Sequence, residues 1–275
     1  MSTAYVPPPD EKAIQHEGTQ GLAINNTGFN RFLTLLALKT TAKFYSRHDS
    51  SVRISRHKIV KSYPWTHITE AATLKFVPEN TSIPVPKVYC SFVRKNRAHI
   101  VMERIQGEEI HSAWKSLKLR ALKPPKDVGV QSCIGRSLRD SRITKSRPRF
   151  GPFKSVSEFR RWLRDDLQPL DHPTWGMNKN GNKSRRRLPK TDRGLLQCSP
   201  MATWIPLTFL VRGEKIVGII DWEISGWYPL YWEYTSAWLG NLTRTGWQGN
   251  LCKFLDQYPA ELEMDRIRYR WLGDF

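Results

Sequence analysis

"QCSPMATWIPLTFLVRGEKIVGIIDWEISGWYPLYWEY", residues 197–234, sets the frame for the rest of the chain. From Thr208 onward, β-branched and apolar residues flank the polar turn "RGEK", which predicts a two-stranded hairpin whose buried second strand ends at Asp221. The triplet Asp221, Trp222, Glu223 and an aromatic run follow. The stretch before the hairpin, from Gln197 to Leu207, holds no carboxylate and no imidazole. The stretch therefore looks like one half of a polar site joined to a segment that supplies nothing to it.

Working outward, "FNRFLTLLALKTTAKFYSRH" carries apolar residues at helical spacing, and "SVRISRHKIVKSY" alternates like a strand. "ITEAATLKFVPEN" predicts a helix with Thr69 as N-cap and Pro78 near its end. "IPVPKVYCSFVRKNRAHIVMERIQGEEI" predicts a strand, a turn at "RKNR" and a buried strand ending at Gly107. Helical spacing returns in "SVSEFRRWLRDDL", "NLCKFLDQY" and "AELEMDRIRYRWLGDF". No internal repeat is visible.

Composition bounds what such a chain can be. Its 275 residues, 39% hydrophobic, suffice for a substantial core in one larger domain or two small lobes. No run approaches the roughly 20 apolar residues of a membrane helix, and "MSTAYVPPPDEKAIQ" lacks the basic start and apolar core of a signal peptide. The expectation is a cytoplasmic protein without a membrane partner. Cys90, Cys133, Cys198 and Cys252 have neither metal-ligand nor disulfide-framework spacing, which suits a reducing compartment. The net charge of +19 is unusual, and "KNGNKSRRRLPKTDR", residues 179–193, supplies +6 of it as seven Lys/Arg less one Asp. Such a run reads first as a solvated loop and second as a nucleic-acid contact.

The order strand with Lys61, helix with Glu70, then two strands and an apolar-acidic linker, is the layout of a kinase-like small lobe. Taken alone, a lysine ending a strand and a glutamate in a first helical turn are ordinary solvated residues. Longer runs are more specific. "HKIVKSYPWTHITEAATLKFVPENTSIPVPKVYCSFVRKNRAHIVMERIQGEEIHSAWKSL", "FGPFKSVSEFRRWLRDDL" and "IVGIIDWEISGWYPLYWEYTSAWLGN" resemble the aminoglycoside phosphotransferase and choline kinase-like family, in its fungal representatives. The resemblance covers most of residues 30–275.

What this resemblance implies is an α+β, two-lobed protein-kinase-like fold: an irregular arm over 1–30, a β-rich nucleotide-binding lobe over 31–107, and a mostly helical lobe over 108–275. It implies ATP-dependent phosphoryl transfer to a hydroxyl of a small molecule. Lys61 and Glu70 would serve the phosphates, the linker at Glu103 to Ile105 the adenine, and Asp221 the Mg2+. A carboxylate closing a buried strand is a hard oxygen ligand of the kind Mg2+ takes.

Two departures from the family pattern matter. Its catalytic loop, His-Gly-Asp-x-x-x-x-Asn, falls on Met201, Ala202, Thr203 and Thr208, so the base position and the second metal position both hold threonine. One permitted coding of Lys190 to Leu210, read from its third base, gives DGPWPPPMFTHGDLDPSNIL, with that loop intact. Residues 176–209 thus read as a family segment translated out of frame, and the basic run as a product of the shift. The other departure follows residue 118, where "SLK" runs straight into "LRALKPP" and most of a large-lobe helix is missing. Uncovering its neighbours costs roughly 25 cal/mol per Å2 of apolar surface. Three classes of function stand: a phosphotransferase inactive as written, a non-catalytic nucleotide binder, and, ranked last, a basic nucleic-acid-binding protein.

Overall fold

The computed structural model describes residues 15–45, 47–48, 51–109, 124–140, 142–143, 149–163, 196–199, 209–213, 215–239, 248–249, 251–253 and 255–272. The polypeptide is mixed α and β. After a short 3-10 turn at Gln20–Leu22, helix α1 (Gly28–Lys39) leads through a second 3-10 turn, Thr41–Phe44, to strands β1 (Arg47–His48), β2 (Ser51–Arg53) and β3 (Lys58–Lys61). Helix α2 (Ile68–Asn80) separates these from β4 (Val88–Arg94) and β5 (Arg97–Glu103). The five strands make one antiparallel sheet in the order β1-β2-β3-β5-β4. β4 and β5 are joined by Lys95 and Asn96, both at positive φ (50° and 53°), the conformation a tight two-residue hairpin demands.

Alternation along the strands assigns the two faces of this sheet. Val60 and Val101 point to one side, where they pack with Cys90 and Phe92 beneath Leu35 and Leu38 of α1. Ile59, Ile100 and Met102 point to the other, against Ala71, Leu74 and Val77 of α2. Lys61 is two residues beyond Ile59, so the pleat places it on the α2 side.

Downstream, β6 (Glu108–Glu109), β8 (Phe209–Arg212) and β9 (Lys215–Ile219) form a three-stranded sheet, and β7 (Leu196–Ser199) pairs with β10 (Gly226–Pro229). The expected hairpin from Phe209 to Ile219 is present, turning through Gly213 at φ 60°. Helices α3 (Val156–Leu163), α4 (Trp232–Leu239) and α5 (Pro259–Leu272) complete the described chain. Ile219, Trp222, Tyr234, Ala237, Leu251, Leu255 and Leu262 join the same core as α2 and β5. A second core gathers Leu138, Phe150, Phe159, Tyr228 and Trp232, with the Tyr228 and Trp232 rings stacked 5.5 Å apart.

Several sequence expectations are corrected. The β5 strand ends at Glu103 and not at Gly107, because the chain must then pass close to β8: a Cβ on Gly107 would lie 2.9 Å from the Val211 carbonyl oxygen. "SVRISRHKIVKSY" is a hairpin of two strands and not one piece. "NLCKFLDQY" shows only a 3-10 turn, Leu251–Lys253, among its described residues. Leu196–Ser199, within the segment read as out of frame, pairs with β10. The segment that would flank the missing helix, and all of 176–209 except 196–199 and Phe209, lie outside the described residues.

Candidate functional site

The α2 side of the sheet carries a buried lysine. Lys61 Nζ donates to Glu70 Oε1 at 3.0 Å and to Asp221 Oδ1 at 2.6 Å, and Glu223 Oε2 lies 3.5 Å away. Each partner is placed by local rules. Glu70 stands in the first turn of α2, where a carboxylate is favoured by the helix dipole. Asp221 follows β9, which is tied into the core by the Ile219 N–H donating to the Pro84 carbonyl. Trp222 then closes back, its Nε1 donating to the Ile219 carbonyl, and Ser225 donates its hydroxyl to Trp222 O. In this tight turn Asp221 adopts φ 68°, a left-handed conformation that Asp tolerates better than most residues but that still carries strain.

The electrostatics are those of a desolvated ion cluster. Burial works against the Lys61 ammonium, but Glu70, Asp221 and Glu223 outweigh it and hold its pKa above the ordinary lysine range. Burial also raises Glu70, to about 7, against the pull of Lys61 and with Glu223 and Asp221 adding to the rise. Glu70 is essentially inaccessible, and its second oxygen, Oε2, has no hydrogen-bond partner among the described residues. Asp221, by contrast, has 47% of its side chain exposed and Glu223 25%, so the cluster has a closed and an open side. The open side is where a ligand would approach.

Three further residues complete the surroundings, none of them a sequence candidate. Glu223 bridges Lys61 to Arg139, whose Nη1 donates to Glu223 Oε1 at 3.2 Å and whose guanidinium lies 5.7 Å from the Trp65 ring centre. Arg149 donates to Ser137 Oγ, Ser137 O and Thr69 Oγ1, tying this loop to the first turn of α2. Burial, together with the nearby charge of Arg139, lowers Arg149 to about 10. Glu223 had a sequence signal, since it lies two residues beyond Asp221. Arg139 and Arg149 had none.

The N-cap of α2 is His67, not Thr69. Its Nδ1 accepts from the Thr69 N–H at 3.2 Å, so the ring proton is on Nε2, which donates to the Gln15 carbonyl at 2.7 Å. His16 stacks on this ring, 4.7 Å between centres. Burial, with Arg149 beside them, lowers His16 to about 4 and His67 to about 2.

The linker after β5 is mixed in its availability. The Glu103 N–H is already donated to Lys87 O, and its carboxylate accepts from the Lys87 N–H. Ile105 leaves both backbone groups unpaired among the described residues. Its side chain packs on Gly218, where an added Cβ would collide with Ile105 Cδ1. Thr203 and Thr208 lie outside the described residues.

The donor set fits a metal held jointly with a ligand. Among the described residues there is no group of three or more His, Cys, Asp or Glu side chains able to cage an ion by themselves. Asp221 and Glu223 are two hard, partly exposed carboxylates, and Mg2+ takes one or two of these with phosphate oxygens and water. No protein-family model matches this chain, and no curated protein compared with it matches.

Proposed function

We propose that this chain follows the plan of the aminoglycoside phosphotransferase and choline kinase-like proteins: a two-lobed, kinase-like phosphotransferase that binds ATP with Mg2+ and is directed at a hydroxyl of a small molecule. The observation that supports this reading is Lys61 held between Glu70 and Asp221. In that role Lys61 meets the nucleotide phosphates and Glu70 keeps its ammonium extended and charged. The unpaired backbone of Ile105 meets the adenine edge. Asp221, with Glu223 beside it, holds the metal. Mg2+, when bound, neutralises charge on the phosphates that are being transferred.

Threonine at 203 and 208 supplies neither a base for the acceptor hydroxyl nor a carboxamide for the metal. The chain as written is therefore a nucleotide-binding site with turnover at or near background. A frame shift across residues 176–209 accounts for that half of the site. Calorimetric titration of ATP tests the reading. Binding is expected only with Mg2+, and Asp221→Asn should weaken it at least about tenfold, the loss of a charge-assisted contact. Equal affinity with and without Mg2+, unchanged in Asp221→Asn, would overturn it.

A further inference from the structure

Helix α1 carries apolar side chains on two faces. Leu35 and Leu38 turn inward onto the sheet, beside the buried Thr34. Phe29, Phe32, Leu33 and Leu36, at the i, i+3, i+4, i+7 spacing of a single stripe, turn outward and are 69%, 61%, 43% and 44% exposed. Phe44, in the following 3-10 turn, is 84% exposed and adds a fifth apolar group to that region. Isolated exposed apolar residues are common, but two phenylalanines and two leucines in one helical row are a contact surface.

The charge around this stripe identifies what it contacts. From Gly18 to His48 there is no Asp or Glu, while Arg31, Lys39 and Lys43 stand exposed in the same helix and turn. The whole chain carries +19, so a second copy would meet the stripe with like charge. An anionic bilayer offers both things the surface lacks, an apolar phase for the protruding rings and negative headgroups for the lysines. We propose that the outer face of α1 seats on an anionic lipid surface, with Phe29, Phe32, Leu33 and Leu36 entering the headgroup layer and Lys39 and Lys43 at its rim. This is peripheral contact: among the described residues no helix is long and apolar enough to cross a membrane. It revises the sequence expectation of no membrane partner, and it is independent of the nucleotide site.

Co-sedimentation of the full chain with phosphatidylcholine vesicles containing about 30% phosphatidylserine tests it, with pure phosphatidylcholine as control. Binding is expected to the mixed vesicles only, to weaken as KCl rises from about 0.1 to about 0.5 M, and to fall at least about tenfold in Phe29→Ser/Phe32→Ser. Both side chains are exposed, so the double variant should keep the wild-type circular dichroism and thermal midpoint. Lys39→Glu/Lys43→Glu should lose the preference for phosphatidylserine. Failure of the folded wild type to bind, or binding retained in full by the phenylalanine variant, overturns the proposal. So does a concentration-dependent dimer that this variant dissolves, which would assign the stripe to a second copy.

Discussion

Lys61 Nζ stands 2.6 Å from Asp221 Oδ1, although 160 positions separate the two residues in the chain. The contact joins the end of a sheet strand to the turn after the β8–β9 hairpin, and Glu70 of α2 completes it from a third element. A site assembled from three distant segments holds its geometry only while all three are folded. Its ionic partners are therefore coupled to the stability of the chain as well as to its chemistry.

That coupling gives the first prediction. Removing one member of a buried ion pair leaves the other charge uncompensated, which costs about 3–5 kcal/mol, whereas replacing both with apolar groups is close to neutral. Lys61→Met alone should therefore destabilise far more than Lys61→Met combined with Glu70→Leu. Urea denaturation of the two single variants and the double variant closes the cycle. Strictly additive costs would mean that Lys61 and Glu70 do not pair.

A second buried pair should behave similarly but with an aromatic component. Asp140 accepts from Arg142 Nη2 at 2.6 Å and from Trp232 Nε1 at 3.2 Å, and the Arg142 guanidinium lies 4.5 Å from the Trp232 ring centre. Asp140→Ala removes these acceptor contacts together with those from the Arg142 Nε and backbone N–H, while Asp265 Oδ2 stays 3.8 Å from Arg142 Nη1. A loss of about 3 kcal/mol is expected, accompanied by a red-shifted tryptophan emission as the Trp232 pocket loosens. A change under about 0.5 kcal/mol would place this network among ordinary surface pairs.

Acid stability follows from the groups at the head of α2. His16 and His67 take up protons near pH 6.5 when unfolded but only near 4 and 2 when folded, so their stabilising contribution is complete above pH 6.5 and is lost as pH falls below it. Each ring contributes at most about 1.4 kcal/mol per pH unit. Glu70 acts in the opposite sense: folded near 7 and unfolded near 4.5, it favours the folded state as pH falls between those values. His99, lowered to about 4 by burial and by Arg97 and Arg94, adds a third ring, so the net slope between pH 6 and 5 should be two protons, about 2.7 kcal/mol per unit, and Glu70→Gln should raise it by about half. Denaturant midpoints at pH 7.5, 6.0 and 5.0 measure this. A slope that Glu70→Gln leaves unchanged would show that Glu70 is ionised throughout.

How far the sequence reveals this arrangement depends on the range of each interaction. α2 is legible from "ITEAATLKFVPEN", because helical period and first-turn acid are local properties, and the β4–β5 and β8–β9 hairpins are legible from their turns. Lys61 and Glu70 are nine residues apart on consecutive elements, so their pairing can be anticipated from the layout. Arg139 and Glu223, 84 residues apart on irregular backbone, leave no periodic trace. The two faces of α1 escape for a related reason: a helix apolar on both sides reads as core, and only packing shows that Phe29 and Phe32 remain outside it. His67 is missed as a cap because Thr69 is the more usual capping residue and the sequence does not disclose the tautomer.

The last prediction concerns the half of the site that threonine now occupies. Acid, base and metal ligand are absent between Gln197 and Leu207, yet the amino acids from Lys190 to Leu210 permit a coding whose shifted reading contains HGDLDPSNIL. Most codons fix their first two bases through the residue, so the overlap restricts the underlying nucleotides strongly. Transcript sequencing across codons 170–215 should show that reading uninterrupted, and a stop codon or a different motif there would end the idea. If it is present, replacing residues 191–210 with the shifted text restores an Asp at 203 and an Asn at 208. General-base catalysis typically contributes about 10²–10⁴-fold, so ADP formation from ATP in the presence of an alcohol acceptor should rise by at least about 100-fold over the written chain. On the proposed phosphotransferase reading a helix after residue 118 is wanting as well, so the gain is expected only when that helix is supplied together with the loop. Strong turnover by the written chain, abolished by Asp221→Ala, would instead mean that another residue provides the base and that Thr203 does not occupy its position.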